Sequence, residues 1–278
     1  VTSVDALREA LQSKGIVVFP GFEIASNDKT HYVCLFSEET TKQQLERYLG
    51  HLDLLDPADG IHPSQLSSKQ LIEKVDQLGG FIYAAHCTQD SGLLKNRLNH
   101  VWQLPTLRSA QIPGSVDDLK GVESGFYRKV LLNKDDAYRR ERPMAVINAK
   151  DVARPEDLKH PGATCFIKMT RPNFAAFKLA FLDAESRIRL NSQQVENPIG
   201  KVLHMSIMGG YLDGVCVDFS DHLNTVIGGR GTGKSTLLEC LRYALDFQPK
   251  GKQALKLHQE IIKENLSLIH ISEPTRRS

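Results

Sequence analysis

Eight consecutive residues constrain this chain more tightly than anything else in it. Gly228-Gly229-Arg230-Gly231-Thr232-Gly233-Lys234-Ser235 fit the pattern G-x-x-x-x-G-K-S/T in full, with an apolar run before them and an amphipathic run after. Glycines at 228, 231 and 233 permit backbone angles closed to other residues, so successive amide N–H groups can turn inward around phosphate oxygens. A helix opening at Lys234 adds the partial positive charge of its N-terminus, worth up to ~2 kcal/mol in partly buried geometry. The expected roles follow by position. Amides from Gly228 to Thr236 cradle the phosphates, and Lys234 reaches the β- and γ-phosphates as the catalytic charge. Ser235 presents its hydroxyl to Mg²⁺, and Thr236 touches the α-phosphate. The implied ligands are ATP and Mg²⁺.

The flanks extend the pattern. Asp218-Phe219-Ser220-Asp221-His222-Leu223-Asn224-Thr225-Val226-Ile227 before the loop and Leu237-Leu238-Glu239-Cys240-Leu241-Arg242-Tyr243-Ala244-Leu245 after it resemble the N-terminal lobe of SMC and RecN-like ATPases. The resemblance covers about residues 202–247. It implies ATP-driven dimerisation of ATPase heads coupled to work on DNA or RNA. It also implies an acidic strand end and a signature motif that this chain does not contain, so weak nucleotide binding and negligible hydrolysis are expected of this piece.

Upstream, residues 1–190 alternate amphipathic helices with short strands rich in Ile, Val, Phe and Tyr, which is α/β patterning. Strands are expected at 15–20, 31–36, 80–85, 121–124, 144–148 and 163–168, and helices at 41–49, 69–78 and 174–182. Residues 191–200 are polar and carry Pro198 and Gly200, which marks a linker. After it, strands are expected at 202–208, 215–219 and 224–227, a helix at 234–245 and a short helix at 253–265.

Residues 201–265 then read as the first part of an ATPase domain. Leu266 to Arg276 resemble an in-frame translation of a sequencing-library transposon adapter, so 266–278 are expected to be an artefactual tail. The start at Val1, without methionine, suggests a missing N-terminus.

Composition narrows the class further. Hydrophobic residues make up 41% and charged residues 24%, the profile of a globular protein. The net charge of +2 gives no bulk case for nucleic acid, so any basic surface must be local. Arg139, Arg140 and Arg142 beside Tyr138 form a short basic cluster, which reads as a solvated face. Five cysteines without paired spacing suggest reduced, buried thiols in a cytoplasmic protein, and no run approaches the length of a membrane span.

A second chemistry is suggested in the first 190 residues. Glu23, His31 and His86 each border an expected strand, and ends of parallel strands are where barrel folds gather their chemistry. One carboxylate and two imidazoles suit Zn²⁺, Mn²⁺ or Fe²⁺. Gly21-Phe22-Glu23-Ile24, His31 and Ala84-Ala85-His86 resemble metal-binding motifs of the PHP family of phosphoesterases. That resemblance implies an incomplete, distorted (β/α)7 barrel in which Glu23 bridges metals while His31 and His86 each ligate one.

The family's opening H-x-H is not in the chain, and its closing D-x-H appears as Asp151-Val152-Ala153. The aspartate remains as a weak ligand without its histidine. Glu123 reads as structural, and His51, His62, His100 and His160 as surface residues. The segment from Phe166-Ile167-Lys168-Met169 to Arg189, together with Gly209-Gly210-Tyr211-Leu212, resembles PHP-associated, TrlF-type ATPases.

Three readings stay open. One is an ATPase fused to a PHP-like domain, acting in nucleic-acid processing or defence. Another is a metal-dependent phosphoesterase with a regulatory nucleotide site. The third is a non-catalytic binding scaffold.

Overall fold

Two apolar faces alternate along the strands of the first of two units, residues 1–195; the second unit spans 196–278. The computed structural model describes residues 4–54, 62–193, 201–220 and 223–265, and the backbone of 268–272. In the first unit the helices are α1 (Val4–Gln12), α2 (Lys42–Gly50), α3 (Ser68–Gln77), α4 (Asn99–Trp102), α5 (Ser124–Leu131), α6 (Phe174–Ala180) and α7 (Ala184–Arg187). Its strands are β1 (Gly21–Ala25), β2 (His31–Leu35), β3 (Phe81–Ala84), β4 (Ser109–Gln111), β5 (Ala145–Ile147), β6 (Cys165–Ile167) and β7 (Ile188–Leu190).

Strands β1 to β5 form one sheet in sequence order. The pairs β1–β2 and β2–β3 are antiparallel, whereas β3–β4 and β4–β5 are parallel. The described residues thus form a mixed sheet flanked by helices, which fits the expected α/β class. Strand β3 is buried at all four positions because helices cover both its faces. Ile82 and Ala84 join Leu71, Ile72 and Val75 of α3 and Trp102 of α4, while Phe81 and Tyr83 join Phe174 and Phe177 of α6. The period of two along the strand divides the two cores.

Helices α2 and α3 both start at capping boxes, Thr41 with Gln44 and Ser67 with Gln70. The turn between β1 and β2 is tied to the start of α3 through Asp28. Its carboxylate accepts from the hydroxyls of Ser26 at 2.6 Å and Ser68 at 2.7 Å and from the Ser68 amide at 2.9 Å. Burial alone would raise this carboxyl group's pKa; the donated hydrogen bonds outweigh it and hold the pKa below its ordinary value.

Several expectations need correction. Residues 15–20 are not a strand: the sheet begins at Gly21, and Ile16 and Val17 are exposed. A side-chain carbon on Gly21 would sit 2.1 Å from the Cys34 carbonyl oxygen, so glycine is what lets the hairpin open there. Residues 121–124 are a turn leading into α5, with Val122 fully in solvent. Glu123 is structural, as expected. Lys95, Tyr127 and Arg97 all donate to its carboxylate, and they hold its pKa down to about 2.

The arginine cluster is not uniformly solvated. Arg140 turns inward, where its guanidinium donates to the carbonyls of Trp102, Leu104 and Leu107, and burial lowers its pKa to about 10. His51, His62, His100 and His160 are exposed. Of the expected linker, residues 191–193 form a 3₁₀ turn that Asn191 ties to Pro161 and Thr164; 194–200 lie outside the described residues.

The second unit contains β8 (His204–Met208), β9 (Cys216–Asp218), α8 (Lys234–Ala244), α9 (Lys252–Asn265) and β10 (Leu268–Ser272). Its sheet runs β10-β8-β9, antiparallel throughout. Met205 and Ile207 face Cys240 of α8 on the inner side. The segment expected to be an artefactual tail contributes β10, and residues 266–267 and 273–278 lie outside the described ones.

Residues 224–227 are not a strand. Leu223 and Ile227 are 86% and 91% exposed, and among the described residues no strand pairs with the segment. A parallel strand has no hydrogen bonds of its own to hold it without a neighbour. No helix among the described residues is long and apolar enough to cross a membrane.

Candidate functional site

Helix α8 begins at Lys234, directly behind the loop, and its N-cap is Gly233 in the left-handed region at φ +86°. A glycine cap has no side-chain oxygen to offer, so no side chain caps the first turn. Its leading amides are left as open donors at the positive end of the helix. Gly231 is also left-handed, at φ +81°. These two residues turn the backbone twice within three positions and deliver it into the helix.

The loop is held by its own groups. The Thr232 hydroxyl donates to the Gly229 carbonyl at 2.9 Å, and the Lys234 ammonium folds back to donate to the carbonyls of Gly228 at 2.8 Å and Gly229 at 2.5 Å. Lys234 therefore lies over the loop with its charge satisfied by carbonyl dipoles. Phosphate oxygens, being anionic, are the stronger acceptors and can draw it away.

An open hollow of about 440 Å³ adjoins the loop, lined by Tyr211, residues 231–236 and the last turns of α9. Sequence reasoning assigned no role to Tyr211 or Asn265. The Tyr211 hydroxyl donates to the Gly231 carbonyl at 3.0 Å, and the Tyr211 amide donates to the Asn265 side chain at 3.2 Å. The available signal was Gly209-Gly210 just before the tyrosine: Gly210 sits against the Asn265 backbone, where a side-chain carbon would come within 2.4 Å. All of the loop residues expected to bind nucleotide, Gly228, Gly229, Arg230, Gly231, Thr232, Gly233, Lys234, Ser235 and Thr236, fall in this loop and first turn. Ser235 is exposed at the start of α8.

A family model described as an AAA domain matches residues 203–273. The match supports a P-loop ATPase domain of AAA type there. With it comes an ATPase-type function that uses nucleotide and, typically, Mg²⁺. The matched span runs from β8 through the loop, α8 and α9 and across β10. No curated protein and no solved structure matches the chain.

In the first unit, Glu23, His31 and His86 come together: one donor atom from each lies within 4.8 Å of the others. The register explains it. Ala25 pairs with His31 and Glu23 with Val33, so Glu23 and His31 are diagonal neighbours on one face. The Ala85 amide donates to the His31 carbonyl at 3.0 Å, which brings His86 alongside.

Glu23 Oε1 lies 2.8 Å from His31 Nδ1 and 3.5 Å from His86 Nε2, and the two rings are 5.2 Å apart. The hydrogen bond with His86 lowers the Glu23 pKa against the opposing effect of burial, and the same bond raises that of His86 above its ordinary 6.5.

Placement differs in detail from the expectation. His31 opens β2 and His86 follows β3, but Glu23 sits at the centre of β1 rather than at its border. His86 has a positive φ of 29°, unusual for a residue with a side chain. Its amide donates to the Gln111 side chain at 3.0 Å, and Gln111 in turn donates to the Ala149 carbonyl at 3.0 Å. Gln111, which sequence reasoning missed, thus joins the ends of β3, β4 and β5.

His86 Nδ1 is buried with no hydrogen-bond partner among the described residues. Asp151 is exposed and stays outside the trio, although its charge reaches His86 and raises its pKa further. One carboxylate and two imidazoles converging on a single point match the donor set of a divalent transition-metal site.

Proposed function

We propose that residues 201–265 are the nucleotide-binding lobe of an SMC- or RecN-like ATPase, joined to a PHP-like domain, and that ATP with Mg²⁺ binds at Gly228–Thr236. The observation that carries this reading is the uncapped start of α8 behind two left-handed glycines, with Lys234 folded over the loop. On binding, Lys234 leaves the Gly228 and Gly229 carbonyls for the β- and γ-phosphates, while amides from Gly229 to Thr236 and the Thr236 hydroxyl take the remaining oxygens. Ser235 would be the protein ligand of Mg²⁺, which when bound supplies charge neutralisation of the phosphates. Hydrolysis requires two such heads paired across ATP, and the work it drives lies in nucleic-acid processing or defence.

Titration with a fluorescent ATP analogue tests the assignment. Lys234→Ala is expected to lose a charge-assisted contact worth about 1.5–3 kcal/mol, so affinity falls roughly 10- to 100-fold. Equal affinity of the two proteins rejects the site.

The convergence of Glu23, His31 and His86 favours a second reading, a metal-dependent phosphoesterase in which the nucleotide site is regulatory. The Glu23 carboxylate and the two imidazoles would hold Zn²⁺ or Mn²⁺, which when bound activates water for attack on a phosphoester. Asp151 would be a weak outer ligand.

Calorimetric titration with Mn²⁺ and Zn²⁺ is expected to show uptake that Glu23→Gln or His86→Asn removes. Uptake is also expected to weaken as pH is lowered through the raised His86 pKa and below, because a protonated imidazole has no lone pair to give. An unmodified chain that takes up neither metal ends this reading and leaves the first unit as a binding scaffold.

A further inference from the structure

A hollow of about 490 Å³ lies at the other end of the parallel strands from His86, with Arg108, Arg139, Arg140 and Arg142 in its lining. Strand register puts them there. Ser109 pairs with Ala145, and the Ala145 amide donates to the Arg108 carbonyl at 3.0 Å, so the chain enters β4 and β5 side by side. Arg108 and Arg142 therefore arrive at the N-terminal end of the β4–β5 pair. His86 and Gln111 stand at the opposite, C-terminal ends of β3 and β4.

The charge of this hollow is poorly balanced. Among the described residues neither Arg108 nor Arg142 has a carboxylate partner, and Arg140 is held by carbonyl oxygens alone. Arg139 pairs with Asp136, which is 89% exposed, so that pair is worth little in water. Glu141 is the one carboxylate in the lining of this hollow, and the adjoining hollow adds Asp183 and Glu185 against Arg189, so the cationic surplus is confined to the end that holds Arg108, Arg139 and Arg142. A chain of net charge +2 thus concentrates a local surplus here.

The hollow is also apolar underfoot, with Pro105, Pro143, Phe181 and Leu182 in its lining. Arg142, Pro143, Phe181 and Leu182 continue into a second hollow of about 680 Å³, so the two form one trough. A lone phosphate would use only the charged end. A ligand that alternates anionic groups with flat apolar faces uses both. Bases stacked inside a duplex cannot reach such a floor, whereas those of a single strand can.

We infer that this trough binds single-stranded nucleic acid, with Arg108, Arg139 and Arg142 on the phosphates and Pro105, Pro143 and Leu182 beneath the bases. The planar guanidinium forks suit phosphate oxygens in pairs. The inference is independent of the nucleotide loop, which lies in the other unit.

Fluorescence anisotropy of a labelled single strand of about 20 nucleotides, titrated with the full chain over a range of salt, tests it. Three phosphate contacts predict a slope of log affinity against log salt near about −2, at roughly 0.7 per phosphate. Arg142→Glu, an exposed change, is expected to weaken binding at least about tenfold without moving the unfolding curve. Arg108→Ala with Arg142→Ala is expected to cut the salt slope by about 1.4. Arg47→Ala on α2 and Lys234→Ala are expected to bind as the unmodified chain does. The inference is overturned if the unmodified chain does not bind, if Arg142→Glu binds equally well, or if Lys234→Ala abolishes binding. Competition by duplex or by poly-glutamate as effective as by single strand overturns it too.

Discussion

Replacing Gly233 with alanine is expected to weaken ATP-analogue binding by more than about a hundredfold while leaving the thermal unfolding of the chain almost unchanged. Gly233 has a φ of +86°, where an L-residue with a side chain is strained by about 1–2 kcal/mol. The new carbon would also stand 2.7 Å from a Leu212 methyl and 3.1 Å from the Tyr211 ring, and such overpacking costs about 1–3 kcal/mol more. The loop is exposed, so it can escape this strain by rotating its amides away from the phosphate position. Affinity then falls by the fraction of molecules that keep the competent loop, at about 1.4 kcal/mol per tenfold.

Gly229 is the internal control. Its φ lies outside the left-handed region, and an added carbon meets only the Thr232 methyl at an ordinary 3.8 Å. Gly229→Ala should bind the analogue as the unmodified chain does. If Gly233→Ala and Gly229→Ala bind alike, the left-handed cap has no part in holding phosphate.

Why the loop was readable while the strand before it was not comes down to range. The phosphate loop depends on glycine conformations and on a helix that starts within the same eight residues, so its geometry is written locally. The segment 224–227 has the composition of a strand, Thr, Val and Ile, yet a strand exists only when another supplies its hydrogen bonds. The same logic hid β4. Ser-Ala-Gln has no apolar alternation, and it becomes a strand only because β3 and β5 flank it.

Glu23, His31 and His86 were legible as a group because each lies in or beside a strand in a short recognisable segment. Their meeting depends on hairpin register, which the apolar pattern of β1 and β2 fixes. Gln111, whose amide ties three strand ends together, has no signal in the sequence, since an isolated glutamine looks the same on any surface.

The arginine cluster shows the limit most clearly, and it yields the second large effect. Arg140→Ala is expected to destabilise the first unit by about 3–5 kcal/mol, lowering its melting temperature by roughly 10 °C, whereas Arg139→Ala at the adjacent position should change it by less than about 0.5 kcal/mol. Arg139 is exposed and makes one ion pair, with Asp136. Arg140 instead collects carbonyls of α4 and the turn after it: Trp102 at the helix end, Leu107, and Leu104, whose oxygen also accepts from the Leu107 amide.

Removing the guanidinium strands the Trp102 and Leu107 acceptors in a part-buried setting, and each unmet polar group there costs about 1–3 kcal/mol. Lysine keeps the charge but has no planar fork to span three carbonyls, so Arg140→Lys should recover less than half of the loss. Parallel thermal melts of the three variants decide the matter. If Arg140→Ala melts with Arg139→Ala, the inward guanidinium holds nothing together, and the N-terminal end of the β4–β5 pair, where Arg108 and Arg142 meet, is set by other contacts.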